Sequence, residues 1–100
     1  MDLGVVVAER QIEGKAPDGS PVEVVIRFGA PRPDPLSDTG DWECPHQIGD
    51  DAVDAAYGVD SLQALLLSVC AVRIKLAESD ATLDWMGMPE LGLTVEPPLS

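Results

Sequence analysis

The sequence predicts an α+β fold: an antiparallel sheet of three to five strands, ordered mostly along the chain, with one long helix packed on one face. Three observations carry this. Valine-rich or alternating runs fill the first half, each bounded by glycine, proline or aspartate. One long stretch free of Gly and Pro, "SLQALLLSVCAVRIKLAES", dominates the second half. The composition is that of a globular protein: 100 residues at 45% apolar suit one core and a single domain spanning residues 1–100.

The elements follow in order. "LGVVVAERQI", Leu3 to Ile12, is rich in valine and short enough for a strand. Pro17, Asp18 and Gly19 then supply the fixed φ and the permissive glycine of a turn. In "PVEVVIRFG", Val22, Val24, Ile26 and Phe28 fall on one face and Glu23, Val25 and Arg27 on the other, so the first two strands are expected to pair as an antiparallel hairpin. Residues 30–40, "APRPDPLSDTG", place three prolines at alternate positions, a composition that cannot continue a ladder and reads as an ordered or semi-extended loop, the segment expected to be most mobile.

A third strand is expected where Trp42, Cys44, His46 and Ile48 alternate with Glu43, Pro45 and Gln47. Because Pro45 has no N–H, that strand should lie at an edge or be bulged there. Residues 51–57 fit either a short fourth strand through Val53 and Tyr57 or a turn of helix, and the strand is preferred. Gly58 then breaks the chain. Asp60 stands as an N-cap with Gln63 three residues on, opening a helix of about 18 residues.

On a helical wheel Leu62, Leu65, Leu66, Val69, Val72 and Leu76 form one stripe, with Ser61, Ala64, Ser68, Ala71, Lys75 and Glu78 opposite. Leu67, Cys70 and Ile74 widen the apolar arc beyond what one sheet face covers, so the chain ends or another subunit should cover the excess, and a homodimer through Leu67, Cys70 and Ile74 is expected. Arg73 interrupts the stripe. It either snorkels along its stem or pairs with a carboxylate such as Glu23 or Asp84, an active-site role being the remaining alternative. Beyond the helix, Leu83, Trp85, Met86 and Leu91 among Gly and Pro suit a short strand or irregular lid over the core, with residues 94–100 fraying as a tail.

Charge narrows the function. Eighteen acidic residues against six basic ones give a net charge of −12, which repels phosphate backbones and anionic membrane surfaces, so no direct nucleic-acid or membrane partner is expected. Between Arg32 and Arg73 there is no Lys or Arg, while Asp34, Asp38, Asp41, Glu43, Asp50, Asp51, Asp54 and Asp60 all fall there. That stretch either keeps the protein soluble or attracts a basic partner, for which Asp50, Asp51 and Asp54 are the candidate contacts. The opening "MDLGVVVAERQ" has no basic region before an apolar run, so no export signal is expected. Nothing approaches the roughly 20 apolar residues of a membrane span. Two cysteines without an export signal suit a reducing cytoplasm, and a Cys44–Cys70 disulfide would need the fold to bring them together.

"DWECPHQIGDD", residues 41–51, concentrates the reactive types. A structural zinc site needs four ligands, and Cys44, His46 and Cys70 supply three at most. Cys44 and His46 share one side of a strand about 7 Å apart, without a glycine-rich elbow or helix N-terminus to provide an oxyanion site. "DDAVD" spells the DDxxD pattern that resembles the magnesium–diphosphate motif of isoprenyl synthases, but in a short chain and a turn rather than on a long helix of a large all-helical enzyme. No GxGxxG or GxxxxGK[ST] phosphate loop is present. No catalytic constellation, metal site or cofactor is therefore expected.

The order of a WxCP strand in "DWECPHQIG", then "AYGVDSLQALLLSVCAVRIKL", then "LDWMGMPELGL", resembles the DUF6968-like family of small bacterial domains of unknown function. The likeness spans roughly residues 3–93 and rests mainly on Trp42, Cys44, Pro45, Tyr57, Gly58, Asp60, Gln63, Leu65, Trp85 and Gly92. It implies this size, this order of elements and a bacterial source, and it brings no activity with it. Three functions of different class are thus weighed: a non-enzymatic interaction or structural domain, dimeric through the wide helix face; an acidic inhibitor or immunity-type protein covering a basic site on a toxin, nuclease or nucleic-acid-binding complex; and a small-molecule or metal-dependent activity at Cys44 and His46. The first is preferred.

Overall fold

The structure, a computed structural model, describes residues 1–93. Its elements are β1 (Val6–Lys15), β2 (Pro21–Gly29), β3 (Arg32–Pro33), β4 (Trp42–Ile48), β5 (Asp54–Gly58), α1 (Ser61–Ala77) and β6 (Thr82–Asp84). The strands form one six-stranded antiparallel sheet, one strand more than the upper end of the expected range, because the two-residue β3 and three-residue β6 join it. Order along the chain holds from β1 through β2 and β4 to β5, while β6 returns to the outer side of β1.

The β1–β2 hairpin forms around Pro17, Asp18 and Gly19 as the turn chemistry requires, with Gly19 at φ 84°. Residues 30–40 form the expected ordered loop but, against expectation, join a ladder at its start: Arg32 and Pro33 pair with Glu43 and Trp42, and a bond from the Asp34 N–H to the Asp41 carbonyl at 2.9 Å closes the loop that follows. The expected edge position of Pro45 is also corrected. β4 is interior, with β5 on one side and β3 and then β2 on the other, and Pro45 falls in the seam between the residues paired with β3 and those paired with β2. A missing N–H interrupts no ladder there.

One sheet face carries the core. Ile12, Ile26 and Phe28 are buried against Val72 and Leu76 of α1, and Val24, Ile48, Val69, Leu83, Leu91 and Leu93 pack around them. The helix lies mainly over β4 and β5. Its start is capped as the sequence predicts: the Asp60 carboxylate accepts from the Gln63 N–H at 2.7 Å, and the Gln63 side-chain carbonyl accepts from the Val59 N–H at 2.8 Å. Gly58 does more than break the chain, since a Cβ there would press on the backbone N of Ala64 at 2.5 Å. The absence of a side chain lets the first turn of the helix settle onto β5.

The predicted inward stripe of α1 is only half right. Val72 and Leu76 are buried and Leu65 and Val69 half-buried, but the residues packed closest to β4 and β5 are Ala64 and Ser68, both assigned to the opposite side by the wheel. Leu62 and Leu66 face outward. Arg73 is exposed, its guanidinium 3.7 Å from the Cys70 sulfur, and it forms no ion pair with Glu23, Asp84 or any other carboxylate among the described residues.

After β6, the chain folds back beside α1 as a lid over the core face of the sheet. The Arg10 guanidinium lies 3.7 Å from the centre of the Trp85 ring and donates to the Leu91 and Gly92 carbonyls, each at 2.9 Å. This pins Leu91 and Leu93 against the core. The expected tail, residues 94–100, lies outside the described residues.

Candidate functional site

The reactive stretch around Cys44 and His46 is built into the interior. Alternation along β4 points both side chains toward α1, where Cys44 is fully buried and His46 is 2% exposed. The Ser68 hydroxyl donates to the Cys44 carbonyl at 3.0 Å, so its oxygen accepts from His46 Nδ1–H, 2.7 Å away. That fixes the tautomer: Nε2 is left as an acceptor and faces the Lys75 ammonium at 3.4 Å, while Lys75 donates to the Asp54 carboxylate at 2.9 Å. Burial, assisted by the Lys75 charge and opposed by Asp54, holds the His46 pKa below the ordinary histidine value.

This geometry suits scaffolding. A catalytic thiol must be reachable and readily ionised, whereas the Cys44 thiol donates to the Gly29 carbonyl at 3.4 Å and is pushed up by burial. The Ser68 hydroxyl is enclosed, with its proton already committed. Cys44 and Cys70 are both free thiols, Cys44 beneath the helix and Cys70 on it. Among the described residues no three His, Cys, Asp or Glu side chains converge as a metal site would require.

The acidic residues divide. Asp50 and Asp51 are exposed in the turn joining β4 to β5, whereas Asp54 lies on β5 and is ion-paired with Lys75, so DDxxD spans a turn and a strand and makes no single cluster. Lys75 and the bond from the Ala55 N–H lower the Asp54 pKa. Asp50 and Asp51 border a groove of about 620 Å³ at the C-terminal end of α1, floored by Val24, Ile48, Leu76 and Leu83.

On the sheet face away from α1, the structure brings together Glu43, which alternation placed opposite Cys44 and His46, with Arg32 and Asp2. Arg32 Nε donates to Glu43 at 2.8 Å, and its terminal nitrogens donate to the Asp2 carboxylate at 3.0 Å and the Asp2 carbonyl at 2.9 Å. The N-terminal residues are drawn across this face, where a Cβ at Gly29 would overlap the Leu3 carbonyl. Glu43 is thereby 6% exposed and walls a cavity of about 530 Å³ with Tyr57 and Leu36. The only sequence signal was Arg32 itself, a base entering a long acid-rich stretch.

The outer side of α1 gathers the remaining predicted residues. Leu67, Cys70 and Ile74 lie along it, one to two turns apart, and Leu62 and Leu66 flank them. Leu62 and Leu66 are each 60% exposed, Leu67 43% and Ile74 53%. No helix among the described residues is long and apolar enough to cross a membrane.

One helix on one face of an antiparallel sheet, its histidine and cysteine enclosed and hydrogen-bonded, defines a small α+β domain. The chain belongs to the family described as a domain of unknown function, DUF6968, which it matches over residues 8–95. No curated protein and no solved structure matches it. The residues that carry the likeness have structural work: Pro45 sits at the seam, Gly58 admits the helix, and Asp60 and Gln63 cap it.

Proposed function

We propose that the protein is a non-enzymatic interaction domain that docks through the outer side of α1. The observation that carries this is the exposure of Leu62, Leu66, Leu67 and Ile74 together on one helix. Isolated exposed leucines need no explanation, but a run of them along the outer side of a domain's long helix is the mark of a surface that another molecule covers. The enclosed His46 and Cys44 support the reading, since the chain's most reactive side chains are spent on holding the helix to the sheet.

The test is photo-crosslinking in the cells of origin, with Leu67→benzoylphenylalanine against Asp18→benzoylphenylalanine at the exposed hairpin turn. Protein adducts from position 67 and none from position 18 are expected; equal labelling, or none from 67, contradicts the proposal.

A second reading, an acidic inhibitor or immunity-type protein for a basic partner, is favoured by one observation: Asp50 and Asp51 are exposed at the lip of an apolar-floored groove. Asp54 is already paired with Lys75 and adds less. Charge reversal at Asp50 and Asp51 should then abolish binding of the basic partner, and binding that survives the reversal sinks this reading.

A further inference from the structure

Across the sheet face away from α1, three strands set out one row of side chains. Arg32 of β3 pairs with Glu43 of β4, and Glu43 pairs in turn with Tyr57 of β5. Directly paired residues share a face with Cβ atoms about 4.5–5.5 Å apart, so guanidinium, carboxylate and phenol stand side by side. Glu43 and Tyr57 wall the cavity of about 530 Å³, and Leu36, 91% exposed, stands at its mouth. The Leu36 N–H donates to Asp34 Oδ1 at 3.0 Å, which holds that loop in place. Such a volume lies within the range of small-ligand sites, about 300–1,000 Å³.

The middle of the row is incompletely served. Glu43 is 6% exposed, and Arg32 donates to its Oε1 alone. Oε2 has no hydrogen-bond partner among the described residues. No sealed side-chain oxygen among them is left unpartnered, so Oε2 opens onto the cavity that Glu43 walls. A carboxylate enclosed to this degree is stabilised by a donor on its second oxygen.

Charge fixes the kind of donor. Asp2, Asp34 and Glu43 border the cavity with Arg32, and even with a terminal ammonium on Met1 the carboxylates outnumber the cations. Arg32 already serves both Glu43 and Asp2, which leaves little of its charge for an anion. No three acidic, His or Cys side chains among the described residues converge as a metal ion requires, which points to an organic cation. Tyr57 suits one. Burial, and then the charges of Glu43, Asp34 and Asp54, push its pKa up, so the phenol stays neutral and its half-exposed ring offers a face to positive charge.

We propose that this cavity binds an organic cation, an ammonium or guanidinium group on an apolar stem, which donates to Glu43 Oε2 and rests on the Tyr57 ring with its stem against Leu36. The site lies on the opposite sheet face from α1 and does not depend on the docking surface proposed above. The same chemistry is carried by a free alkylguanidinium and by the arginine side chain of a protein, and the test separates the two.

The full chain is titrated with butylguanidinium and followed by NMR through the ring signals of Tyr57, its only tyrosine. A saturable shift is expected at about millimolar concentration, as suits one charged contact and one stacked group. Butyrate, with a similar stem and the opposite charge, should give none. Glu43→Gln should weaken binding about tenfold. Asp80→Asn removes the same charge from the exposed turn before β6 and should leave binding unchanged. Should Glu43→Gln fail to fold, Tyr57→Leu decides: at that half-exposed position it must weaken binding several-fold, read by saturation transfer to butylguanidinium. Tighter binding of butylguanidinium than of N-acetylarginine methylamide assigns the site to a free cation, and the reverse order to a protein's side chain. No saturable shift, an equal response to butyrate, equal weakening by Glu43→Gln and Asp80→Asn, or full binding by Tyr57→Leu overturns the inference.

Discussion

The two sides of α1 are built from opposite materials. Toward the sheet it presents Ala64 and Ser68 before Val72 and Leu76; away from the sheet it presents Leu62, Leu66, Leu67 and Ile74. The helical wheel puts Leu62 and Leu66 in the apolar stripe and Ala64 and Ser68 opposite it, and the fold turns those four the other way. Size explains it. Where α1 crosses Gly58 and β5, the backbones come close enough that only a small side chain fits, and Ser68 is admitted because both its donor and its acceptor find buried partners in Cys44 and His46. The large residues left outside are then available for a partner.

Enlarging the inner side should have the greatest effect. Ala64→Leu forces three extra side-chain carbons against β5 and should lower unfolding stability by about 3 kcal/mol, near the upper end for overpacking, read by urea denaturation. Leu66→Ala, two residues on and outward, should move the monomer by less than about 0.5 kcal/mol. Equal effects at the two positions would erase the distinction between the sides.

Next comes the polar contact. Ser68→Ala leaves His46 Nδ1–H and the Cys44 carbonyl without their partner, and should lower stability by about 1–3 kcal/mol. A loss no larger than that of an exposed serine such as Ser61→Ala would mean the network contributes little.

A smaller effect is pH-dependent. Burial depresses the His46 pKa in the folded chain, while an unfolded histidine titrates near about 6.5. Above that pH both states are neutral and the contribution of His46 is complete. As pH falls below it the unfolded chain takes the proton first, so stability declines, by at most about 1.4 kcal/mol per pH unit from this one group, until the folded histidine is protonated as well. Between pH 7 and 5 wild type should therefore lose more stability than His46→Gln measured over the same range. Parallel profiles would remove His46 as the cause.

Much of this was legible in the sequence. Period-two alternation placed Val24, Ile26 and Phe28, and likewise Cys44, His46 and Ile48, on the core face, because a half-buried strand leaves that pattern directly in its residues. Asp60 and Gln63 marked the helix start through local chemistry. The inward side of α1 could not be read the same way, since a helix with only Arg73 and Lys75 charged is apolar nearly all round and its rotation is set by contacts with β5. The β3 pairing and the Arg32–Glu43 pair were hidden for a related reason: both depend on where a proline-rich segment returns in space, which local periodicity does not encode. Of the candidate residues, Asp54 was placed among free acids because its partner, Lys75, lies 21 residues away across the helix–sheet interface.

The central claim is that the inner side of α1 makes the fold and the outer side makes the contact. The most direct measurement is photo-crosslinking from position 67 in the cells of origin, beside position 18 at the hairpin turn, with far-UV circular dichroism on both purified variants. We expect protein adducts from position 67 and none from position 18, with both variants folded. Labelling at 67 no greater than at 18, or a position-67 variant that unfolds, would contradict the account.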